Sequence, residues 1–350
     1  MSARTSAVDV SDGEVIDTDV LIIGAGPAGL FACYYAGLRK LSVVVLDTQR
    51  EAGGQLMALY PEKPIFDVAG LPRVTGAELT DSLVVQAQSA DPRWVLGERA
   101  VTLLRDEETS RPIVVTDTGR RIRAGGVVVA AGIGSFQPRR LPAAEGHLGR
   151  GMHYTVRRPD SFADLDVVVV GGGDSAVDWA NLLHPVARSV TLVHRRRRLR
   201  AYASSIEELR ASPVRVLLES EVVEAHGSPG LEHVVVRTGA VDEPERLPAQ
   251  ALIAALGHTA DLGSLAQWGF DLHTRQITVD QRMRTGVPDV FAAGDVTTHP
   301  GKVRIMAVGF GEAATAVNNL AAGLRPDEGV FPGHSTELAG RELAPAGATR

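Results

Sequence analysis

The chain has 350 residues, 44% of them hydrophobic, with a formal net charge of -6 and a single cysteine, Cys33. That length accommodates two domains, each burying its own core. The acidic balance argues against general nucleic-acid binding, and one thiol excludes a disulfide within the chain and fits a reducing compartment. The polar segment 1–19 lacks the basic and apolar regions of a secretory signal, and no apolar run reaches membrane-span length without a glycine turn or a charge. The expected location is therefore the cytoplasm, without membrane association.

Val20-Leu21-Ile22-Ile23 is an unbroken apolar run that reads as a parallel strand buried on both faces. It enters Gly24-Ala25-Gly26-Pro27-Ala28-Gly29, then a helical segment, then a second apolar strand, Ser42 to Leu46, next to Asp47. This is a βαβ unit with a dinucleotide fingerprint. Gly24 serves the tight turn, Gly26 lets backbone approach a pyrophosphate, and Gly29 lets helix pack on strand. The helix N-terminus offers unpaired N–H groups to phosphate, and Asp47 stands where an acid accepts hydrogen bonds from ribose. With strand, helix and acid all placed, dinucleotide binding is favoured over a merely structural glycine turn.

Further along, Ile113-Val114-Val115 and Arg121-Ile122-Arg123 read as a small antiparallel sheet, and Val127 to Gly132 as a separate returning strand. The Pro- and Arg-rich stretch Gln137 to Pro142 marks a domain boundary. The pattern then repeats. Val167-Val168-Val169-Val170 runs into Gly171-Gly172-Gly173-Asp174-Ser175-Ala176, a helix, and a second strand from Ser189 to Val193. Gly171, Gly173, Asp174, Ser175 and Ala176 form this second turn. At the position matching Asp47 stands His194, followed by Arg195 and Arg196, with Arg200 one helical turn beyond Arg196 if the chain turns there. An acid would repel a 2′-phosphate, whereas arginines bind one through charge-assisted bonds. The second fold is thus expected to prefer NADPH to NADH, with Arg197 and Arg198 as spectators. The alternative is a solvated basic face.

The second fold closes at Ala251 to Leu256. The chain then passes through Phe291-Ala292-Ala293-Gly294-Asp295 to a helix from about Gly311 to Leu324. The expected architecture is α/β with two Rossmann-like nucleotide-binding domains. The first is discontinuous, residues 15–137 and 262–350, and is split by the second, residues 138–261.

Two such folds, the first interrupted by the second, resemble the thioredoxin-reductase-like flavoproteins. Where that family carries Cys-x-x-Cys, this chain reads Met152 to Asp160 without a cysteine. Dithiol–disulfide exchange needs two thiols in reach, so thioredoxin reduction by the usual route is excluded. What remains is similar, over nearly the whole chain, to the thioredoxin-reductase-like ferredoxin–NADP reductases. The similarity is carried by Gly53-Gly54-Gln55-Leu56, Leu59-Tyr60-Pro61-Glu62-Lys63, Phe66-Asp67-Val68-Ala69-Gly70, Gly172 to Ala180, Gly309-Phe310-Gly311-Glu312-Ala313 and Gly333-His334-Ser335-Thr336. Two departures are Asp47, where the family usually has Glu, and the extra basic pair Arg197-Arg198.

The resemblance implies FAD in the first domain, NADPH in the second, hydride transfer between them, and single-electron exchange with ferredoxin or flavodoxin. It implies that Gln55 and Tyr60 contact the flavin, Tyr60 stacking on one ring face. Asp67 and Val68 would lie near the N5 edge, Ala100 against adenine, Phe136 near the ring, and Asp295 at the ribityl–phosphate region. His334, with Ser335 and Thr336, would cover the other ring face, supplied by the partner chain in a homodimer; His334 and Ser335 are candidate proton suppliers. Without the resemblance, Tyr60 reads as a half-buried tyrosine and His334 as a surface histidine. Arg139, Arg140, Arg157 and Arg158 are candidates for docking an acidic carrier, and Gln137 to Glu145 for a hinge. The rival functions are an NADPH-dependent flavin oxidase or quinone reductase, and a flavin redox sensor without turnover. Cys33 reads as a small core residue, and the histidines show no metal-ligand spacing, so no metal is expected.

Overall fold

The computed structural model describes residues 15–134, 137–156, 158–239, 243–259, 261–331, 333 and 334. The chain divides into two compact units, one from Met1–Ser135 with Ala260–Arg350 and the other from Phe136–Thr259.

In the first unit, β1 (Val15–Ile23), α1 (Pro27–Leu38) and β2 (Val43–Asp47) start a parallel sheet, with Val20 opposite Val43 and Ile23 opposite Leu46. Pro27 opens α1, where its fixed φ suits the first helical position and its missing N–H costs nothing. One face of α1 buries Gly29, Leu30, Ala32, Cys33 and Ala36. The Cys33 thiol donates to Ala87 O (3.6 Å), and burial pushes it up to about 12. The short α2 (Gly54–Leu59) precedes α3 (Gly76–Gln88), which starts with a capping box between Thr75 and Glu78. Then follow β3 (Arg93–Leu96), β4 (Ala100–Arg105), β5 (Pro112–Thr116) and β6 (Arg121–Val129). Their order in the sheet is β3-β2-β1-β6-β5-β4.

Here the structure corrects the expectation of two short strands over 121–132. β6 is one nine-residue strand, paired along its length with β1 from Val15–Arg121 to Ile23–Val129. Its first half also pairs antiparallel with β5. Gly125 and Gly126 do not break it. A Cβ at Gly125 would stand 2.8 Å from both Asp19 O and Leu324 Cδ2, so these glycines allow close packing within a continuous strand.

In the second unit, β7 (Asp166–Gly171), α4 (Asp174–Leu183), β8 (Ser189–His194), α5 (Ala203–Ala211) and β9 (Arg215–Leu218) repeat the parallel design. An antiparallel meander of β10 (Ser220–His226), β11 (His233–Thr238) and β12 (Glu245–Pro248) leads to β13 (Ala251–Ala255). β13 returns to the parallel sheet between Met152–His153 and β7, giving the order Met152–His153, β13, β7, β8, β9.

The chain then re-enters the first unit. β14 (Val290–Ala292) runs parallel to the second half of β6, and α6 (Met306–Leu324) follows. α6 begins five residues before the expected Gly311, because Gly309 and Gly311 lie within it. A Cβ at Gly309 would come 3.5 Å from Gly294 Cα, so this glycine serves a close approach instead of a turn. Among the described residues no helix is long and apolar enough to cross a membrane.

Candidate functional site

At the first glycine turn, Gly24 has φ +110° and donates to Leu46 O (2.8 Å). A Cβ there would stand 2.4 Å from Ala130 O, and one at Gly29 would stand 1.8 Å from Gly24 O. Both positions demand glycine on steric grounds. Gly26 is different: its Cβ would meet only Gly54 Cα, at 3.9 Å. The space in front of Gly26 is open to something that approaches the backbone. Three other segments meet there. Gly53 N donates to Ala25 O (2.8 Å), a Cβ at Gly294 would lie 3.1 Å from Ala28 Cβ, and Gly309 abuts Gly294. They surround the N-terminus of α1, whose N-cap Gly26 supplies no side-chain cap. The first-turn N–H groups are thus left for an anion in a cradle that side chains would fill. A dinucleotide pyrophosphate fits it.

Asp47 ends β2 with Oδ2 accepting from Ala25 N (2.5 Å) and Oδ1 from Gln49 N (2.7 Å). Burial pushes this carboxyl up, against the opposing pull of the Ala25 and Gln49 N–H groups. With Thr48 also bonded to it, the carboxylate keeps one further lone-pair site for a ribose hydroxyl. Gln55 follows Gly54 in α2, with its amide 3.2 Å from where a Gly132 Cβ would be. Tyr60 is half-buried at the C-cap of α2, with Lys63 Nζ 5.4 Å from its ring centroid. Asp67 is exposed and Val68 half-buried, on a turn closed by Leu71 N donating to Val68 O (3.0 Å). Asp295, exposed, follows Gly294, and its carbonyl accepts from Gln276 Nε2 (2.9 Å). Ala100 is buried at the start of β4, where its carbonyl accepts from Ser264 Oγ (2.6 Å). The structure therefore gathers Gly24, Gly26, Gly29, Asp47, Gln55 and the Gly294–Asp295 corner around one helix end. Phe136, Arg157, Ser335 and Thr336 lie outside the described residues.

His334 is exposed, its ring 5.3 Å from that of Phe331 in an edge-on contact. The segment before it is tied to the far end of α1. Arg39, the C-cap of α1 and 4% exposed, donates to Val330 O (3.1 Å) and Gly329 O (3.0 Å).

Sequence reasoning gave no role to a buried polar cluster behind Gly294. Glu312 of α6, 5% exposed, accepts from Gly294 N (2.8 Å), His299 Nε2 (3.0 Å) and Lys302 Nζ (2.5 Å to each oxygen). Lys302 also donates to Gly294 O and Thr297 Oγ1, both at 3.0 Å. Burial works to raise the Glu312 carboxyl, but the bonds from Lys302, His299 and Gly294 outweigh it and leave it below the usual carboxylate range. The signal was a lone acid inside the apolar, small-residue run Met306 to Ala314.

The second turn repeats the backbone design and changes the chemistry. A Cβ at Gly171 would stand 2.3 Å from Ala255 O and one at Gly172 would stand 2.2 Å from the His194 ring. A Cβ at Gly173 would have nothing within 4 Å, so open space again faces the backbone. Ala176, buried, donates through its N–H to Gly173 O (3.0 Å), with Ser175 half-buried beside it. Asp174 Oδ1 accepts from Tyr202 N (2.9 Å), which ties the 200–202 segment to the start of α4. Arg200 N donates to Gly172 O (2.6 Å), and Arg200 pairs with Gly173 as a parallel bridge. This corrects the helical-turn expectation: residues 195–198 are bends, and backbone pairing with the glycine turn itself brings Arg200 in.

His194 Nε2 donates to Arg198 O (3.1 Å); burial, and then the charges of Arg196, Arg195 and Arg200, hold its imidazole below the usual value. Arg197 is already engaged, its Nε donating to Glu219 Oε1 (2.8 Å). Arg195, Arg196 and Arg200 are exposed and have no ion-pair partner among the described residues. A glycine cradle without an acid at the strand end and with three unpaired guanidinium groups fits a nucleotide carrying an extra phosphate.

Two glycine cradles on two Rossmann-like units define a class of nucleotide-dependent oxidoreductases. The chain belongs to the pyridine nucleotide-disulphide oxidoreductase family, matched over residues 18–319. Among its relatives, the ferredoxin–NADP reductase of Frankia alni is 54% identical over 318 residues, 91% of this chain and 98% of that one. The ferredoxin–NADP reductase of Thermus thermophilus is 44% identical over 92% of this chain and 97% of that one. The fold is that of the solved thioredoxin reductase of T. acidophilum, with a TM-score of 0.77 at 24% identity over 88% of this chain and 99% of that one.

Proposed function

We propose that the chain is a ferredoxin–NADP reductase, with FAD in the first unit and NADPH in the second, which passes hydride from NADPH to FAD and single electrons to ferredoxin or flavodoxin. One observation carries this reading: two cradles of matching backbone design end in opposite chemistry. The first ends in the Asp47 carboxylate; the second ends in His194 with unpaired Arg195, Arg196 and Arg200. Identity of 54% to a ferredoxin–NADP reductase supports the reaction assigned.

Bound FAD would supply the change from a two-electron donation to one-electron steps. The protein's part is binding and orientation. Gly26 and the first turn of α1 hold the FAD pyrophosphate, Asp47 a ribose, and Asp295 the ribityl–phosphate region. Gln55, Tyr60, Asp67, Val68 and Phe136 line the flavin, and Ala100 the adenine. In the second unit, Gly171, Gly173, Asp174, Ser175 and Ala176 form the pyrophosphate turn, while His194, Arg195, Arg196 and Arg200 take the 2′-phosphate. No side chain acts as acid or base in the hydride step. No thiol relays electrons either, because the one cysteine is buried with its thiol pushed up to about 12.

His334, Ser335 and Thr336 cover the flavin of a second copy, so the working form is a homodimer. The 12 residues of α1 make it about 18 Å long, and Arg39 pins Val330 at its far end. The anchored Val330 thus lies at the end of α1 opposite Gly26, which supports an extension that reaches a second copy. The acidic carrier docks on Arg139, Arg140, Arg157 and Arg158.

Anaerobic mixing of flavin-loaded protein with NADPH or NADH in a stopped-flow instrument, followed by ferredoxin, tests the reading. Fast bleaching by NADPH, slow bleaching by NADH and recovery of absorbance on adding ferredoxin are expected. Bleaching without recovery would point to another acceptor, and no bleaching would remove the reductase assignment.

A further inference from the structure

Tyr202 is the N-cap of α5 and stands at the rim of the second cradle, 68% exposed. Its backbone gives this phenol a fixed place beside the glycine turn. Tyr202 N donates to Asp174 Oδ1 (2.9 Å), directly after Gly173, and Tyr202 O accepts from Ile206 N (3.1 Å) in the first turn of α5. Two residues earlier, Arg200 is bonded to the turn through Gly172 O (2.6 Å). The ring thus stands on a rigid segment that also presents Arg200, and it has no hydrogen-bond or ring partner among the described residues. The structural work of this position is done by main-chain atoms, which another residue would supply equally. The side chain is left for something else.

We propose that Tyr202 is a further nucleotide-binding residue, whose ring stacks on the adenine of NADPH. This rests on the reading of the second unit as the NADPH site. In an adenosine 2′-phosphate, the base and the 2′-phosphate sit on neighbouring ribose carbons. A phosphate held by the guanidinium groups of Arg195, Arg196 and Arg200 therefore brings the base close to the same rim. A tyrosine is suited to it: a flat face for the purine, few rotatable bonds to immobilise, and a polar tip for water. Base–aromatic stacking of this kind is sequence-tolerant and independent of charge. It therefore adds affinity without adding preference for phosphate, which the arginines provide.

The test titrates flavin-loaded protein with 2′,5′-ADP, which lacks nicotinamide and cannot turn over, and with inorganic pyrophosphate, which lacks the base. Wild type, Tyr202→Ala and Tyr202→Phe are compared, with melting temperatures alongside. Tyr202→Ala is expected to weaken 2′,5′-ADP about tenfold, a typical loss for one stacked base, and to raise KM for NADPH similarly at unchanged kcat. Pyrophosphate binding stays unchanged, Tyr202→Phe retains wild-type affinity, and all three proteins melt alike. Equal affinity of wild type and Tyr202→Ala for 2′,5′-ADP would overturn the inference alone. A loss in Tyr202→Phe as large as in Tyr202→Ala would also overturn it, since the hydroxyl and not the ring would be responsible. If wild type bound neither 2′,5′-ADP nor NADPH, the NADPH reading of the second unit would fall, and this inference with it.

Discussion

Removing the Lys302 charge while leaving Glu312 in place tests how the Gly294 corner is held. In Lys302→Met the Glu312 carboxylate, 5% exposed, loses its cation and two of its shortest bonds, while Gly294 O and Thr297 Oγ1 each lose a donor. Breaking one side of a buried ion pair costs about 3–5 kcal/mol, because the remaining charge is stranded. Glu312 keeps Gly294 N and His299, so the lower end applies, about 3 kcal/mol. For a unit of this size that corresponds to about 6–12 °C in Tm. The double variant Lys302→Met/Glu312→Gln removes both charges and should recover at least half of the loss. The pH dependence has a defined sign. The folded carboxyl lies below its ordinary 4.5, so its contribution is complete above 4.5 and fades as pH falls through the lower folded value. In Lys302→Met that fading should begin at higher pH. Thermal melts followed by circular dichroism and released-flavin fluorescence at pH 7 and pH 5 measure both effects. A Lys302→Met protein melting within 1–2 °C of wild type, an effect of roughly half a kcal/mol, would refute the argument that this pair fixes the corner.

Other perturbations separate the two cradles. Arg196→Ala and Arg200→Ala should each weaken NADPH by about 10- to 100-fold, the value of a charged hydrogen bond, with NADH unaffected; Arg197→Ala should do neither, since its partner is Glu219. Equilibrium titration with both nucleotides decides this. His194 titrates below its usual value in the free protein, and a 2′-phosphate beside it would raise that value. Binding therefore takes up a proton, and the ratio of NADPH affinity in wild type to that in His194→Asn should increase as pH is lowered from 8 to 6; a flat ratio would place His194 away from the phosphate. Gly26→Ala has room for its methyl, so it should fold yet lose FAD, whereas Gly29→Ala, with its Cβ 1.8 Å from Gly24 O, should not fold. Flavin content and circular dichroism of the two purified variants distinguish them. Cys33→Ala should leave flavin reduction by NADPH unchanged in the stopped-flow assay and cost about 1 kcal/mol or less in a urea melt.

What was legible in the sequence is what burial on both faces dictates. Val167 to Val170 and Val20 to Ile23 leave no polar face, so each has to be a central parallel strand, and the glycines that follow each run mark the turn into a helix. The glycines that misled are those whose reason is tertiary. Gly125 and Gly126 inside β6, and Gly309 inside α6, look like punctuation along the chain, but each makes room for a neighbour far away in sequence. Position alone cannot separate a glycine needed for φ from one needed for the absence of a Cβ. The same limit applies to polar side chains. Lys302 and Glu312 are ten residues apart across a turn, and no periodicity links them. Asp174 reads as part of a glycine fingerprint, yet its carboxylate bonds the backbone of Tyr202, 28 residues on. That bond and the Arg200–Gly172 bond make the basic segment rigid. A flexible run of arginines would lose affinity to the entropy of ordering it on each binding event. Held against the glycine turn at two backbone points, the segment keeps the main chain that carries Arg200 in place, so preference for a 2′-phosphate depends on tertiary bonds as well as on the arginines themselves.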